Sequence, residues 1–277
     1  ATSLTLLDAK VLSVPEAFAM VAGSRLGAAF IVLLVGFVYM LRGKQRDLSI
    51  SVGLLSLLVT QTIYPFVLLL GFWLLSSPFL QGWQLQASQN LNSPFEVLFR
   101  PLLVFLEAIV PAWALFPACF LLILFSLWLF DKMVPELHLE ETRLGMVHHV
   151  LYRPMVTFIL GAVMTTITMS VSVSLSLLIP LSVRGFIRRE NVIPYILGAN
   201  ITTFIDTLIA AALLANPAAV TVVLVQMASV TVVSLVILLA GFRSYERLLE
   251  RMVSFLGRRR RFLAAYVVTI FLIPFGL

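Results

Sequence analysis

Four long stretches of this 277-residue chain contain no charged side chain, namely residues 48–95, 108–130, 154–183 and 207–242. A helix needs roughly 20 apolar residues to cross the hydrocarbon core of a bilayer, so each stretch is long enough for at least one crossing. Transmembrane β-strands would instead appear as segments of about ten residues with alternating polarity, and these stretches are blocks of Leu, Ile, Val and Phe. The pattern therefore predicts an all-α, polytopic membrane protein.

Composition and motif content narrow the possible function classes. Hydrophobic residues make up 61% of the chain and charged residues 12%, about half the charged share of a soluble globular protein. The basic residues behind the net charge of +6 stand in short loops, where membrane topology places them, so they do not indicate a nucleic-acid partner. The sequence contains neither a P-loop nor a nucleophile–base pair or metal cluster, which argues against an enzyme and against a bound cofactor.

The distribution of Lys and Arg predicts the topology. The apolar segments are 14–41, 48–75, 95–110, 111–130, 155–183, 190–215, 218–241 and 262–277. If 14–41 runs inwards and 155–183 folds back as a re-entrant hairpin, 16 of the 19 Lys and Arg residues lie in the cytoplasm, as the positive-inside rule requires. The polar sequence at 165–176 also suits a hairpin enclosed by protein. We expect a multi-pass protein of the plasma membrane, which in a bacterium is the inner membrane.

Two parts of the chain resemble each other. The sequence SLTLL at residues 3–7 aligns with SLSLL at 174–178, and residues 23–30 align with 198–204 with one gap. A long apolar segment, an amphipathic stretch and a final apolar segment follow in both copies. Because the predicted topology orients the copies oppositely, they form an inverted repeat, the architecture of many secondary transporters. Chance similarity between two Leu- and Ser-rich stretches is the alternative.

The repeat divides the chain into three parts. Residues 1–130 form the first inverted repeat, with the start of its hairpin missing, and residues 155–277 form the second. Residues 131–154 form a cytoplasmic linker. We expect re-entrant hairpins and broken helices in this architecture, because transporters of this kind build their sites from discontinuous helices.

One block of the second copy carries a resemblance to a known family. The sequence LGANITT at residues 197–203 resembles the glycine-alanine-asparagine-isoleucine-glycine-threonine-threonine signature of the sodium/phosphate cotransporter family, which carries it in each of two inverted repeats. A glutamine-serine-serine-serine hairpin motif precedes each signature in that family. Residues 168–174 correspond to the second such hairpin, and residues 1–3 resemble the end of the first. The resemblance implies a sodium-coupled symporter for inorganic phosphate with one central site.

The chain departs from the family pattern at specific positions. The second hairpin lacks the glutamine and keeps Ser170 in register, and the first signature has Arg25 in place of asparagine and two alanines in place of the threonines. An asparagine offers an oxygen ligand, whereas an arginine offers only donors and a fixed charge, which repels a nearby cation. We expect the cation site of the first copy to be absent, with Arg25 serving the anion or Asp206.

Hydroxyl groups and one arginine are the candidate ligands of an oxyanion. Serines and freed N–H groups at a broken hairpin can hydrogen-bond an anion, and an arginine adds a planar fork of donors. The predicted substrate-binding residues are Ser3, Thr5, Ser24, Arg25, Ser170, Ser172 and Ser174. The alternatives are serines that bond to their own helix backbone and an arginine that reaches a lipid headgroup or water.

The predicted ion-binding residues are Asn200, Thr202, Thr203 and Asp206. Side-chain oxygens and unwound carbonyls coordinate sodium in the broken helices of transporters, and an ionisable residue within an apolar segment usually faces a cavity or a partner. The alternatives are a polar contact between helices and, for Asp206, a place near the outer interface. Sodium is expected here as a coupling ion, with no other cofactor.

The sequence thus predicts a secondary active transporter that carries inorganic phosphate or a related small oxyanion together with a cation, sodium by the resemblance. Its expected partners are the oxyanion, sodium and the lipid bilayer, and an oligomer is compatible with the sequence. The alternative function is that of a degenerate, non-transporting family member, a membrane regulator or assembly partner. The missing glutamine and threonines favour that alternative.

Overall fold

The computed structural model describes residues 2–41, 46–77, 153–183, 187, 189–214 and 216–258, with single residues between 104 and 129 and at 266, 268 and 269. The predicted segments 95–110, 111–130 and 262–277 lie largely outside this set, as do the linker 131–154 and the loop 81–94. The described residues form helices joined by short turns and contain no strand. The all-α prediction is confirmed for this part of the chain.

The first copy begins with three helices: α1 (Thr2–Asp8), α2 (Val14–Leu41) and α3 (Arg46–Ser76). Lys10 ends α1 in the left-handed conformation, with φ 58°, and the N–H of Val11 bonds to the carbonyl of Leu6 at 2.9 Å, as in a Schellman motif. Ser13 and Glu16 then form a capping box, in which the Ser13 N–H and hydroxyl donate to the Glu16 carboxylate. These local signals explain why α2 starts at the predicted residue.

Residues 154–183 form a helical hairpin rather than one long helix. Helix α4 (Pro154–Thr168) and helix α5 (Val171–Val183) are joined by Met169 and Ser170, and Met169 turns the chain with φ 49° and ψ 21°. The helices have 15 and 13 residues, which give lengths of about 22 and 20 Å. A crossing of the hydrocarbon core requires about 30 Å, so neither helix spans it.

The second copy continues with a broken helix and a long one. Helix α6 (Arg189–Thr202) and helix α7 (Ile205–Leu213) are separated by a turn at Thr203 and Phe204. Asn216 then caps α8 (Pro217–Val236) by accepting from the N–H groups of Ala218 and Ala219. A π-helix (Ile237–Gly241) joins α8 to α9 (Phe242–Arg258). The predicted apolar segment 218–241 and the amphipathic stretch that follows it are therefore continuous, since no proline or turn interrupts them.

Within the described residues, four helical stretches are long and apolar enough to cross a membrane: Val14–Leu41, Ser49–Ser76, Asn191–Leu213 and Pro217–Leu256. Many of their outward-facing side chains are large and apolar, as at Leu69 and Leu239, which are 70% and 71% exposed. Polar side chains such as Asn200, Gln226 and Ser229 are buried instead. An apolar exterior around buried polar groups suits a lipid environment, and the prediction of a membrane protein is confirmed by these candidate spans.

Close helix contacts set the position of the LGANITT segment. Helix α6 packs along α4, and α2 packs along α3. A Cβ atom on Gly198 would overlap the carbonyl oxygen of Phe158, and one on Gly161 would overlap the carbonyl oxygen of Tyr195. Small residues permit such backbone contacts between membrane helices. The two glycines therefore hold Asn200 and its neighbours directly against the hairpin.

Candidate functional site

Arg25 in α2 joins the two copies. Its Nη1 atom donates to the Thr203 hydroxyl at 2.6 Å, and its Nη2 atom donates to the Thr207 hydroxyl at 3.2 Å. The guanidinium also lies 4.3 Å from the centroid of the Phe204 ring, an attractive cation–π arrangement. A charged side chain of α2 is thus held by three residues at and just after the break between α6 and α7: Thr203, Phe204 and Thr207.

Thr207 connects this arginine to a carboxylate. The Thr207 hydroxyl accepts from Arg25 and donates to Oδ1 of Asp206 at 2.8 Å, and the Thr207 N–H donates to the same oxygen at 2.5 Å. Arg25 and Asp206 form no direct ion pair, and the Thr207 hydroxyl is hydrogen-bonded to both of them. We call the set Arg25, Thr207 and Asp206 the relay.

The break between α6 and α7 positions the hydroxyl groups that bind Arg25. Thr203 still bonds to the carbonyl of Ala199 at 3.1 Å, so Asn200 lies three residues earlier on the same helical face. Threonine is β-branched, and its hydroxyl competes with the backbone for hydrogen bonds, which weakens a helix at such a position. The local sequence therefore favours a break at the place where the hydroxyls of Thr203 and Thr207 bond to Arg25 instead of to their own helix.

Three buried polar atoms around Arg25 lack partners within the described residues. They are Nε of Arg25, Nδ2 of Asn200 and the hydroxyl of Tyr64, and Tyr64 interacts electrostatically with Arg25. Asn200 and Tyr64 are 2% and 3% exposed. A buried polar group without a partner costs about 1–3 kcal/mol, and native structures contain few of them. Because these atoms lie on the helices that meet at Arg25, the two nitrogen donors are candidate ligands for a group with acceptor atoms.

The hairpin serines make structural hydrogen bonds. The Ser174 hydroxyl accepts from Thr165 at 2.7 Å and contacts the Tyr195 hydroxyl at 3.0 Å, while the Ser170 hydroxyl accepts from the N–H of Val173 at 3.4 Å. Ser172 is half-buried and makes no hydrogen bond within the described residues. The bonds of Ser174 close the hairpin against α6, and among the three predicted hairpin serines Ser172 is the one whose hydroxyl has no partner within the described residues.

The remaining predicted residues lie at different places. Thr5 and Ser24 donate to carbonyls of their own helices, those of Thr2 and Val21, as the backbone-bonding alternative expects. Ser3 is buried. Thr202 donates to the carbonyl of Ala162 in α4 at 2.8 Å, so it faces the hairpin while Thr203 faces Arg25. Of the predicted residues, the structure links Arg25, Thr203 and Asp206 to one another through hydrogen bonds.

No family model matches the chain, and neither the curated proteins nor the solved structures provide a match. The resemblance to the sodium/phosphate cotransporters therefore rests on the sequence motifs alone. The functional proposal below depends on the geometry of the site.

Three residues of this region were not predicted from the sequence. Thr207 lies four residues after Thr203, and this helical spacing would have placed it on the same face. Tyr64 has no such signal. Gln226 in α8 is fully buried, and neither its amide nitrogen nor its amide oxygen has a partner. It is a polar amide in the middle of the charge-free run 207–242, and this position could have been noticed from the sequence.

Proposed function

We propose that the protein is a secondary transporter that carries inorganic phosphate or a related small oxyanion with a cation, sodium by the resemblance, across the plasma membrane. The observation that supports this is the unsatisfied donor set around Arg25. Nε of Arg25 and Nδ2 of Asn200 are buried donors without acceptors. An oxyanion supplies several acceptor oxygens and a negative charge, and a single ligand of this class satisfies both donors.

The charge on Arg25 remains available to such a ligand. Its two terminal nitrogens donate to the hydroxyls of Thr203 and Thr207, which are neutral and do not cancel the positive charge. Charge-assisted hydrogen bonds to phosphate or carboxylate are among the strongest in proteins. The site is therefore organised for an anion that enters and leaves.

The cation is proposed to bind at Asp206. Thr202 and Thr203 are already engaged with Ala162 and Arg25 and point in different directions. Asp206 is exposed, and its hydrogen bonds involve only one of its two carboxylate oxygens. Acidic residues within membrane segments mark ion pathways in other membrane proteins.

The hairpin is proposed to be re-entrant and to belong to an inverted repeat. Helices α4 and α5 are too short to span the membrane, and their turn contains Met169 in a left-handed conformation. The hairpin is bonded to α6 through Thr202 and Ala162, directly beside the donor set. Movement of this unit against α2 and α3 would open the site to alternate sides, as in other inverted-repeat transporters.

Phosphate uptake into proteoliposomes tests the proposal. With an inward sodium gradient, the wild-type protein should accumulate radiolabelled phosphate, and uptake should fall when choline replaces sodium. The variant Arg25→Asn should lower uptake at limiting phosphate about tenfold to a hundredfold, because hydrogen bonds to a charged group are worth about 1.5–3 kcal/mol. The matched control is Arg243→Asn, since Arg243 is exposed on α9. Equal uptake by wild type and Arg25→Asn would contradict the proposal.

One observation favours the competing function, a non-transporting regulator. Both terminal nitrogens of Arg25 are engaged and Phe204 covers its guanidinium, so the residue also serves to join α2 to α6 and α7. In that role no anion binds.

Thermal unfolding separates the two functions. Phosphate at 100 times its dissociation constant raises the free energy of unfolding of a protein that binds it by about 2.7 kcal/mol, and the melting temperature rises accordingly. The melting temperature of a regulator that binds no anion stays unchanged.

A further inference from the structure

We propose that the relay couples the two ions: a cation on Asp206 releases the Thr207 hydroxyl and thereby strengthens anion binding at Arg25. This inference rests on the proposed function and adds the route by which one ion affects the other. It concerns Thr207 as a positioning residue, because Thr207 acts through its two charged neighbours.

The Thr207 hydroxyl is committed to both charges at once. A threonine hydroxyl has a single hydrogen, and this hydrogen is donated to Oδ1 of Asp206 at 2.8 Å. The oxygen of the same hydroxyl accepts from Nη2 of Arg25 at 3.2 Å. Thr207 is 5% exposed, so water does not replace either partner. While Asp206 holds the hydrogen, the hydroxyl cannot donate to an anion beside Arg25.

Asp206 retains one free oxygen for a cation. Its Oδ1 accepts from both the N–H and the hydroxyl of Thr207, and Oδ2 has no partner in the part of the chain that the structure describes. The side chain is exposed. A cation on Oδ2 draws electron density from the carboxylate and weakens Oδ1 as an acceptor, which frees the Thr207 hydroxyl to rotate towards Arg25.

Charge balance makes the two binding events depend on each other. The empty relay carries one positive and one negative charge and is neutral overall. A monovalent anion alone leaves it net negative, a cation alone leaves it net positive, and both together restore neutrality. Net charge is unfavourable in a low-dielectric interior, so each ion should raise the affinity for the other. Linkage requires that this effect be reciprocal.

Equilibrium binding of radiolabelled phosphate to the purified protein in lipid nanodiscs tests the coupling. For the wild type, saturating sodium should raise the phosphate affinity about tenfold over choline, a typical coupling between sites. Asp206→Asn should bind phosphate with the same affinity in both salts. Thr207→Val should lose most of the sodium effect and Thr207→Ser should retain it, because serine keeps the hydroxyl.

The control is Thr221→Val, since the Thr221 hydroxyl bonds only to the carbonyl of Pro217 in α8, and it should keep the full sodium effect. The melting temperature of each variant shows whether it is folded. If Asp206→Asn does not fold, the comparison of Thr207→Val with Thr207→Ser decides.

Three results would overturn the coupling. The first is a sodium effect in both Asp206→Asn and Thr207→Val as large as that of the wild type. In that case the proposed function would still stand if phosphate binding requires Arg25. Loss of phosphate binding in folded Asp206→Asn at every sodium concentration would place the carboxylate in the anion site instead. Absence of phosphate binding by the wild type in either salt would remove the proposed function together with the coupling.

Discussion

The two aligned stretches of sequence, residues 23–30 and 198–204, differ in backbone structure. In the first copy, residues 23–30 lie within α2, which continues without a break from Val14 to Leu41. In the second copy, the aligned residues 198–204 end α6 and turn at Thr203 and Phe204. The unbroken copy supplies a fixed positive charge, and the broken copy supplies neutral hydroxyls and a carboxylate that receive it. The two aligned stretches therefore contribute different groups to the candidate site.

A substitution of threonine by alanine accounts for much of this difference. Ala28 and Ala29 stand where the second copy has Thr202 and Thr203. Alanine has the highest helix propensity, whereas threonine loses side-chain freedom in a helix and can hydrogen-bond elsewhere. Thr202 does so by donating to the carbonyl of Ala162, a bond that an alanine cannot make. The first copy thus keeps its helix and lacks the corresponding contact.

The largest expected effect is that the two aligned parts of the chain are labelled from opposite sides of the membrane. Cysteines introduced at Val11, before α2, and at Arg188, before α6, should react with a membrane-impermeant reagent from opposite sides of the membrane, because the predicted topology places Val11 outside and Arg188 inside. The test requires replacement of Cys119, the only cysteine of the chain. Labelling of both positions from the same side would show that the copies are not inverted.

A smaller effect is expected on stability when each of the two aligned glycines, Gly198 and Gly23, is replaced by alanine. Gly198→Ala should destabilise the protein by about 1–3 kcal/mol, because the added Cβ overlaps the carbonyl oxygen of Phe158 and forces α4 and α6 apart. Gly23→Ala is the matched variant, and nothing lies within 4 Å of its added Cβ. It should be neutral or stabilise by about 0.5–1 kcal/mol, since alanine favours the helix. Thermal unfolding in detergent measures both, and equal losses of stability would refute the difference in packing.

Much of the fold was predictable because its signals are local. The predicted apolar segments mark the helices α2 to α8, and segment 14–41 coincides with α2 because the Glu16 carboxylate accepts from Ser13 at its start. The division of segment 155–183 into two helices was also predictable, since a polar sequence interrupts two apolar stretches; the re-entrant course of this segment stays a prediction. The continuation of α8 through a π-helix into α9 was not, because a change from apolar to amphipathic character does not by itself reveal whether the helix ends.

The candidate site was predictable only in part. Arg25 and Asp206 stood out as ionisable residues in apolar segments, and the distance between them along the chain gave no indication that a threonine would connect them. The partner of each hydroxyl depends on rotamers and packing. Ser174 bonds to Thr165 and Tyr195, and Thr5 bonds to its own helix, although both are hydroxyl residues in aligned segments. Hydrogen-bond partners of this kind follow from tertiary structure.

The central claim is that buried donors from both copies hold one anion. A crystal structure of the protein soaked with tungstate, a heavy tetrahedral oxyanion, tests it through anomalous scattering. The account predicts a tungsten peak beside Arg25, with tungstate oxygens within hydrogen-bonding distance of Arg25 Nε and Asn200 Nδ2, the two buried donors that lack acceptors. A peak at another location, or none at a tungstate concentration that inhibits phosphate binding, would contradict the account.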